Sequence, residues 1–313
     1  MSDGDKAKTV RDLRAEALKR RTRLIADTRG EVLALLGIAQ RRIRDRLLAQ
    51  PSAAEQWQLQ LLQGEIRQAL KEFADQAGAK VASAASAAWE AGQALVDSPL
   101  HGDGIRIDAM VPLLDTRQLL AMRSFMTERI GDIGITAANR INTELGLVVI
   151  GAQGQMDAIS KVAEILGETS RARAITIVRT ELSRVYGTAS QERLAQAAAV
   201  VPGLKKQWRR SGKVHSRLAH DLADGQVQDA DKPFKLATGV ALMFPHDPKA
   251  PAKETINCGC TSIPWKAEWE VAAPGRKRYT EQEMQSNPMK RDIQEGLDEG
   301  RPIRELLAGG KAA

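Results

Sequence analysis

The residues best suited to chemistry are two cysteines, Cys258 and Cys260, which one glycine separates. Thiolate sulfur and imidazole nitrogen bind zinc in proteins at about 2.3 Å and about 2.0–2.1 Å. We therefore take His220 as the third candidate ligand and Asp224 as the fourth. A disulfide across so short a loop is strained, so we expect both thiols to be reduced. The spacing predicts a candidate zinc site.

Three interpretations of this group remain open. In the structural one, which we favour, the cysteines pack as small apolar residues and His220 and Asn257 bond to loop backbone. In the metal interpretation, His215 and His246 are further candidates for the fourth ligand. In the catalytic one, His220 and Cys258 form a thiol–imidazole pair, which this spacing does not favour. Zinc is thus the one cofactor that we consider, and we require none.

An enzyme is not what the motifs indicate. The chain has neither the H-x-E and P-C-x-x-C motifs of zinc deaminases nor HExxH, a P-loop or G-x-S-x-G. We therefore expect no catalytic residues, and a zinc-dependent hydrolase is kept only as an alternative.

Six short motifs follow one another along the chain. They are Arg179-Thr180-Glu181, Trp208, His220 with Asp224-Gly225, Pro233-Phe234, Pro245 to Pro248, and Asn257-Cys258 with Cys260. This order resembles the phage head-morphogenesis family, the Mu F-like minor head proteins of tailed bacteriophages. The resemblance covers roughly residues 140–265. Gly259 stands where the family often has arginine, and His246 stands where it usually has glycine, which makes His246 the less favoured candidate for a fourth ligand.

The resemblance implies a low-copy virion protein that acts at or near the portal, in capsid assembly and in genome packaging or ejection. The implied partners are portal and capsid proteins, together with packaged double-stranded DNA. The implied location is the head interior or portal vertex, and the host cytoplasm during assembly.

Arg179 and Glu181 stand two residues apart and so do not share a helix face. We interpret them as a buried ion pair that holds their helix to the segment that follows, with contact to a partner as the alternative.

The chain is basic, with a net charge of +7. Residues 1–50 hold 13 Lys and Arg against 7 Asp and Glu, and residues 201–220 hold a second basic cluster. Such clusters attract phosphate backbones, although a solvated face or an acidic protein partner explains them equally well. A DNA-binding protein with basic helices is therefore an alternative function. The candidate contact residues are Arg20, Arg21, Arg41, Arg42, Lys205, Lys206, Arg209, Arg210, Lys213 and Arg217.

The elements that must position these residues are mostly helices. Aromatic residues make up only 4% of the chain, and apolar residues recur at helical spacing over about residues 10–50 and 53–96. These two runs predict a hairpin that turns at Pro51-Ser52, where Ser52 caps the second helix. The chain begins without an apolar run and has no long apolar stretch, so we expect neither a signal peptide nor a membrane-spanning helix.

Capping and helix-breaking residues predict where the later helices begin and end. We expect Ser98-Pro99 to end the hairpin, Asp115 to cap the next helix, Gly131 and Gly134 to interrupt it, Ser170 to cap a further helix, and Gly187 to end that one.

The predicted fold is mainly α: a long N-terminal helical hairpin or bundle, followed by a small α+β domain with long loops. The predicted segments are 1–98 (hairpin), 99–170 (helical linker or bundle), 171–270 (head-morphogenesis α+β domain) and 271–313 (extended charged tail, with a short helix near Ile303–Leu307).

Overall fold

The computed structural model describes residues 9–51, 58–269, 275–302 and 305–306. Its α-helices are α1 (Val10–Leu48), α2 (Leu59–Gly102), α3 (Arg117–Val149), α4 (Gln155–Glu164), α5 (Arg171–Ala198), α6 (Leu218–Leu222), α7 (Ala252–Thr255), α8 (Glu281–Ser286) and α9 (Pro288–Asp298). Its strands are β1 (Lys205–Arg209), β2 (Val227–Asp229), β3 (Phe234–Lys235), β4 (Ala241–Leu242) and β5 (Thr261–Trp265). The predicted class, long helices followed by a small sheet-containing region with loops, is confirmed.

The chain divides into two compact units. The helical unit comprises Thr22–Ala87 and Thr116–Leu182, and the mixed unit comprises Met1–Arg21, Ala88–Asp115 and Ser183–Ala313. Because α1, α2 and α5 each supply residues to both units, the units do not follow chain order. Whether the four predicted segments fold as separate domains stays a prediction.

Within the helical unit, α1 and α2 form the predicted hairpin. Their buried apolar residues recur at helical spacing, as at Val32, Leu36, Ile43 and Leu47 on α1. Salt bridges at the rim join Arg42 to Glu72 (2.6 Å) and Lys80 to Glu31 (3.2 Å). Exposed pairs of this kind contribute less than about 1 kcal/mol each, so apolar burial holds the hairpin. The predicted cap Ser52 lies outside the described residues.

Several predicted helix boundaries were wrong. Helix α2 continues through Pro99 to Gly102, because Pro99 lies close to the helix end and Leu100 is buried in the core. Helix α3 continues through Gly131 and Gly134. A Cβ atom on Gly134 would lie 3.0 Å from the carbonyl oxygen of Leu70, so this glycine permits close helix packing. Glycine in a helix costs only about 1 kcal/mol, and packing offsets it here.

Two predicted caps and one predicted helix end were also wrong. Thr116, not Asp115, precedes α3, and it makes no capping hydrogen bond with its side chain. Ser170 ends a π-helical segment, Ile165–Ser170, that connects α4 to α5, and its hydroxyl donates to the Ile165 carbonyl (2.8 Å). Helix α5 passes Gly187, where a Cβ atom would lie 2.9 Å from the Phe244 ring.

In the mixed unit, β1 is the central strand of a three-stranded antiparallel sheet in the order β2-β1-β5. Gln207 lies opposite Val227 on one side and opposite Ile263 on the other. Strands β3 and β4 form a separate pair. The central position leaves β1 with no free edge. Its three middle residues, whose side chains alternate between the two faces of the sheet, are all buried.

The C-terminal region differs from the extended tail that we expected. Residues 281–298 form α8 and α9, and Thr280 begins α8 with a capping box that involves Glu283. Ile293 packs with Leu222 and Tyr279 in a buried cluster, so this region belongs to the core of the mixed unit. The predicted final helix near Ile303–Leu307 lies largely outside the described residues.

Among the described residues, no helix combines the length and apolar composition needed to cross a bilayer.

Gly92 provides a direct test of the packing in the mixed unit. A Cβ atom at this position of α2 would lie 2.4 Å from the backbone oxygen of Tyr186 and 2.9 Å from the Ala189 Cβ atom on α5. The neighbouring atoms are backbone and Cβ atoms that cannot swing away. We expect Gly92→Ala to destabilise the protein by about 2 kcal/mol, measured by urea unfolding followed by circular dichroism.

The matched control is Gly64→Ala on the same helix, where a Cβ atom meets nothing within 4 Å. There the higher helix propensity of alanine should stabilise the protein by up to about 1 kcal/mol. Equal effects at both positions would contradict the close helix contact.

Candidate functional site

Trp208 organises the centre of the mixed unit. It lies on β1, is fully buried, and meets the rings of His220 and Phe234 edge to face, each at a centroid distance of 5.4 Å. Its indole Nε1 donates a hydrogen bond to the backbone oxygen of His220 (3.1 Å). This contact fixes α6, and with it the His220 side chain, against the sheet.

His220, Cys258 and Cys260 come together as predicted. His220 Nδ1 lies 3.4 Å from the Cys258 sulfur and 3.9 Å from the Cys260 sulfur. All three ligand atoms lie within 4.8 Å of one another, and all three residues are buried. Both cysteines are free in the structure.

Glu254 completes this group, and sequence reasoning missed it. Its carboxylate Oε2 lies 2.9 Å from His220 Nε2, and the residue is 4% exposed. Glu254 lies on α7, four residues before Cys258, and a zinc-ligating histidine usually has a carboxylate partner at its other nitrogen. The signal in the sequence is an acidic residue close to the candidate ligands.

The two cysteines differ in their acidity. Hydrogen bonding from Cys260, followed by that from His220, holds the pKa of Cys258 well below its ordinary value despite burial. The hydrogen bond to Cys258, together with burial, raises the pKa of Cys260 well above it. Burial opposes protonation of His220, but Cys258 and Glu254 outweigh it and raise its pKa. The group therefore favours one thiolate beside one thiol.

Chemically, the group suits either a metal ligand set or a thiolate–imidazole–carboxylate relay. Zinc–ligand lengths in a tetrahedral site place a bound sulfur and nitrogen about 3.6 Å apart, a value that the two sulfur–nitrogen distances here bracket. A nucleophilic thiol needs access to substrate, whereas Cys258 is 7% exposed and Cys260 is 2% exposed. The geometry fits a bound ion better than it fits catalysis.

Asp224 is not part of this group. Its Oδ1 accepts from the Arg210 backbone N–H (2.8 Å) and its Oδ2 accepts from the Lys277 backbone N–H (2.7 Å). Gly225, which follows it, has a φ of +82°, and a Cβ atom there would lie 2.4 Å from the backbone of Gly275. Asp224-Gly225 thus joins the end of β1 to the segment before α8, and the prediction of Asp224 as the fourth ligand is corrected.

The loop that carries the cysteines is held by basic side chains. Lys213 donates to the backbone oxygen of Asn257 (2.9 Å), and Arg217 donates to that of Ile256 (2.8 Å). Asn257 has a φ of +55°, a left-handed conformation that asparagine tolerates. A Cβ atom on Gly259 would lie 2.6 Å from the Ser211 Cβ atom, which explains why glycine fits between these cysteines.

His246 lies buried nearby and is 1% exposed. Neither of its ring nitrogens has a hydrogen-bond partner among the described residues. Its backbone φ is +73°, and its ring and Cys260 line the same small cavity. Burial is the main cause that lowers the pKa of His246 to about 4, so the ring is neutral at pH 7.

Three predicted nucleic-acid contacts face inward instead. Lys206 is fully buried on β1, donates to the Met243 backbone oxygen (2.7 Å), and burial lowers its pKa to about 8. The Arg210 side chain is 2% exposed. Arg21 is buried and donates to the Ser183 hydroxyl (3.0 Å). These residues are corrected to structural ones, because each is buried and bonds to an interior acceptor: Lys206 to Met243, Arg210 to Glu283 and Arg21 to Ser183.

The remaining predicted contact residues differ in their exposure. The Arg209 side chain is mostly buried and donates to the Gly275 backbone oxygen (3.0 Å), and Lys205 pairs with Asp229 (2.8 Å). Arg20, Arg41 and Arg42 of α1 are exposed. A contact role for the exposed residues stays a prediction.

The Arg179-Thr180-Glu181 motif lies in the helical unit. Thr180 and Glu181 are buried, while Arg179 is half-buried. The predicted ion pair stays a prediction. Of the Pro233-Phe234 motif, Phe234 is fully buried against Trp208.

Helices α8 and α9 are attached through buried charges. Arg210 makes a bidentate ion pair with Glu283, with N–O distances of 2.5 and 3.0 Å. Lys290, which is fully buried, contacts Glu283 (2.9 Å) and Asp221 (3.3 Å), the residue after His220. Removing one partner of such a network leaves a buried charge uncompensated, which is strongly destabilising. This network fixes the far side of α6.

With this geometry in place, comparison with known proteins shows what one segment of the chain is similar to. Residues 139–263 match the family described as Phage Mu protein F like protein. The match spans the helices that lead into the mixed unit and all five strands except the last two residues of β5. It confirms the resemblance drawn from the motif order and associates this segment with phage head morphogenesis.

One curated relative is the uncharacterized protein YqbB of Bacillus subtilis (strain 168), which is 38% identical over 97 residues. The aligned residues are 30% of this chain and 31% of the relative, so the chain spans about a third of the relative's length. No solved structure matches the chain.

The Arg210–Glu283–Lys290 network makes the stability depend on pH. Burial opposes ionisation of Glu283, but hydrogen bonds from Arg210, the Thr280 backbone and Lys290 outweigh it and lower its pKa from 4.5 to about 2. A lowered pKa in the folded state contributes stability above the unfolded value, and that stability is lost as pH falls from about 4.5 to about 2. We expect Glu283→Gln to lower stability by about 3 kcal/mol at pH 7 and to have a much smaller effect at pH 2.

The measurement is chemical unfolding of both proteins across this pH range. Glu281→Gln, an exposed carboxylate on the same helix, is the matched control and should change stability by less than about 1 kcal/mol. A Glu283→Gln effect that does not shrink with acid would rule out the ion pair as its source.

Proposed function

We propose that this protein is a minor head protein of a tailed bacteriophage. It is a low-copy component of the virion that acts at or near the portal vertex during capsid assembly and genome packaging or ejection. The observation that carries the proposal is the family match over residues 139–263. A second observation supports it: buried residues of the motifs pack together around Trp208 and His220.

A structural role suits the site better than a catalytic one. The thiols and the imidazole are buried, and they are held by Trp208, Glu254 and the loop contacts of Lys213. A group enclosed in this way stabilises the mixed unit and leaves surface residues to contact the portal and capsid proteins that we propose as partners.

Packaged double-stranded DNA is a second proposed partner. Helix α1 carries 11 Lys and Arg against 5 Asp and Glu, and Arg20 and Arg41 on it are exposed. Part of this charge is neutralised locally, since Arg42 pairs with Glu72. The surplus favours a sequence-independent electrostatic contact over base recognition.

The head role is tested by deleting the gene in the phage and by analysing purified heads. Quantitative mass spectrometry should find the protein in heads at a small fraction of the major capsid protein. Deletion should lower the yield of infectious, DNA-filled particles, and the wild-type gene supplied in trans should restore it. Absence of the protein from purified heads, together with a normal yield after deletion, would refute the proposal.

The DNA contact is tested by fluorescence anisotropy with a labelled duplex of about 30 base pairs. Binding should weaken at least about tenfold between about 50 and 200 mM salt. The double variant Arg20→Gln/Arg41→Gln should bind more weakly and show a shallower salt slope. Lys232→Gln/Lys235→Gln removes the same charge from exposed sites near β3 and should bind like wild type. Equal losses in both double variants would indicate a net-charge effect and argue against a contact on α1.

A further inference from the structure

Three ligand atoms of the mixed unit are arranged as one face of a tetrahedral coordination sphere. His220 Nδ1 lies 3.4 Å and 3.9 Å from the sulfurs of Cys258 and Cys260. Among the described residues this is the group whose spacing could hold a metal ion. Two thiolates with an imidazole are a soft to borderline donor set, which selects zinc over magnesium or calcium.

We propose that His220, Cys258 and Cys260 bind a structural zinc ion, with His246 as the fourth ligand. The proposal does not depend on the function proposed above.

The orientation of His220 supports this assignment. Its Nδ1 faces the two sulfurs, while its Nε2 lies 2.9 Å from the Glu254 carboxylate. A histidine that binds zinc through one nitrogen typically donates its other N–H to a carboxylate, which fixes the tautomer and the ring plane. The indole N–H of Trp208, which donates to the His220 backbone oxygen, holds the same residue against the sheet.

The surroundings of His246 supply the fourth position. A buried imidazole with two unsatisfied nitrogens is costly, and bonding to a metal ion removes part of that cost. The His246 ring and Cys260 line the same cavity of about 10 Å³. This is roughly the room that one water molecule needs. Its nitrogens lie outside the 4.8 Å group, so His246 must move toward Cys260 into this cavity when the ion binds.

Charge balance is also favourable. Zinc with two thiolates and two neutral imidazoles carries no net charge, so the centre is less costly to bury than free thiolates. The ion joins α6 to the loop after α7, two segments separated by more than thirty residues. A structural ion in such a position stabilises the fold directly.

The first experiment uses the untagged full-length protein. We expect about one equivalent of zinc by elemental analysis. Removal of the ion with a chelator under reducing conditions should lower the melting temperature by at least about 5 °C, and stoichiometric zinc should restore it. Metal-free protein whose two thiols react freely, and whose melting is unchanged by added zinc, would overturn the proposal.

The second experiment identifies the ligands with Co²⁺, which reports thiolate bonding and tetrahedral geometry in its absorption spectrum. Cys258→Ser and Cys260→Ser should each lose sulfur-to-cobalt charge-transfer intensity, and His220→Asn should weaken zinc binding. His215→Asn, an exposed histidine, is the matched control and should behave like wild type. If a ligand variant does not fold, the chelation and zinc-restoration measurements on wild type still decide the proposal.

The fourth ligand has a separate readout. His246→Ala should keep three protein ligands, shift the visible Co²⁺ bands, and weaken zinc binding at least about tenfold. An unchanged spectrum and affinity would overturn the assignment of His246.

Discussion

The constraint on which the mixed unit depends is the burial of the His220 imidazole. Both ring nitrogens are polar, and a buried polar atom without a partner costs about 1–3 kcal/mol. The structure meets this requirement from two directions, with Glu254 at Nε2 and the cysteine sulfurs at Nδ1. Because these partners lie 34 and 38 residues further along the chain, satisfying one ring fixes the relative positions of α6, α7 and the loop before β5.

The same logic extends to the other side of α6. Asp221 is fully buried and faces Lys290, whose ammonium group also contacts Glu283. Glu283 in turn pairs with Arg210, the residue that follows β1. Basic residues in this part of the chain therefore serve as interior counter-ions. The C-terminal helices are part of the mixed unit because they supply charges that cannot be left buried alone.

The sequence predicts those features of the fold and site whose cause lies within one segment, and it fails where a distant segment decides. Helical periodicity identified the α1–α2 hairpin, because one buried stripe needs a partner over many turns. Helix boundaries failed at Gly134 and Gly187, because glycine both weakens a helix and permits close packing, and only the neighbouring element decides between the two. Glu254 could be found only by looking for an acidic residue near the candidate ligands, because a single glutamate carries no motif of its own. The cysteine–histidine group was predictable because few residue types perform that chemistry.

The basic residues show what a count of charges cannot predict, which is whether their side chains are buried. A count of Lys and Arg over residues 201–220 indicates a basic surface, but Lys206 and Arg210 point into the core once β1 becomes the central strand. Strand order is set by tertiary pairing and is absent from a charge count.

This distinction bears on what the motif can say about function. Trp208, His220, Phe234, Cys258 and Cys260 are all buried in one cluster, so the motif order that carries the family resemblance describes how the unit packs. Surfaces for the partners that we propose above must therefore be formed by residues outside this cluster. The motif order thus carries the resemblance through packing, and it says nothing about partners, which would be recognised by exposed residues.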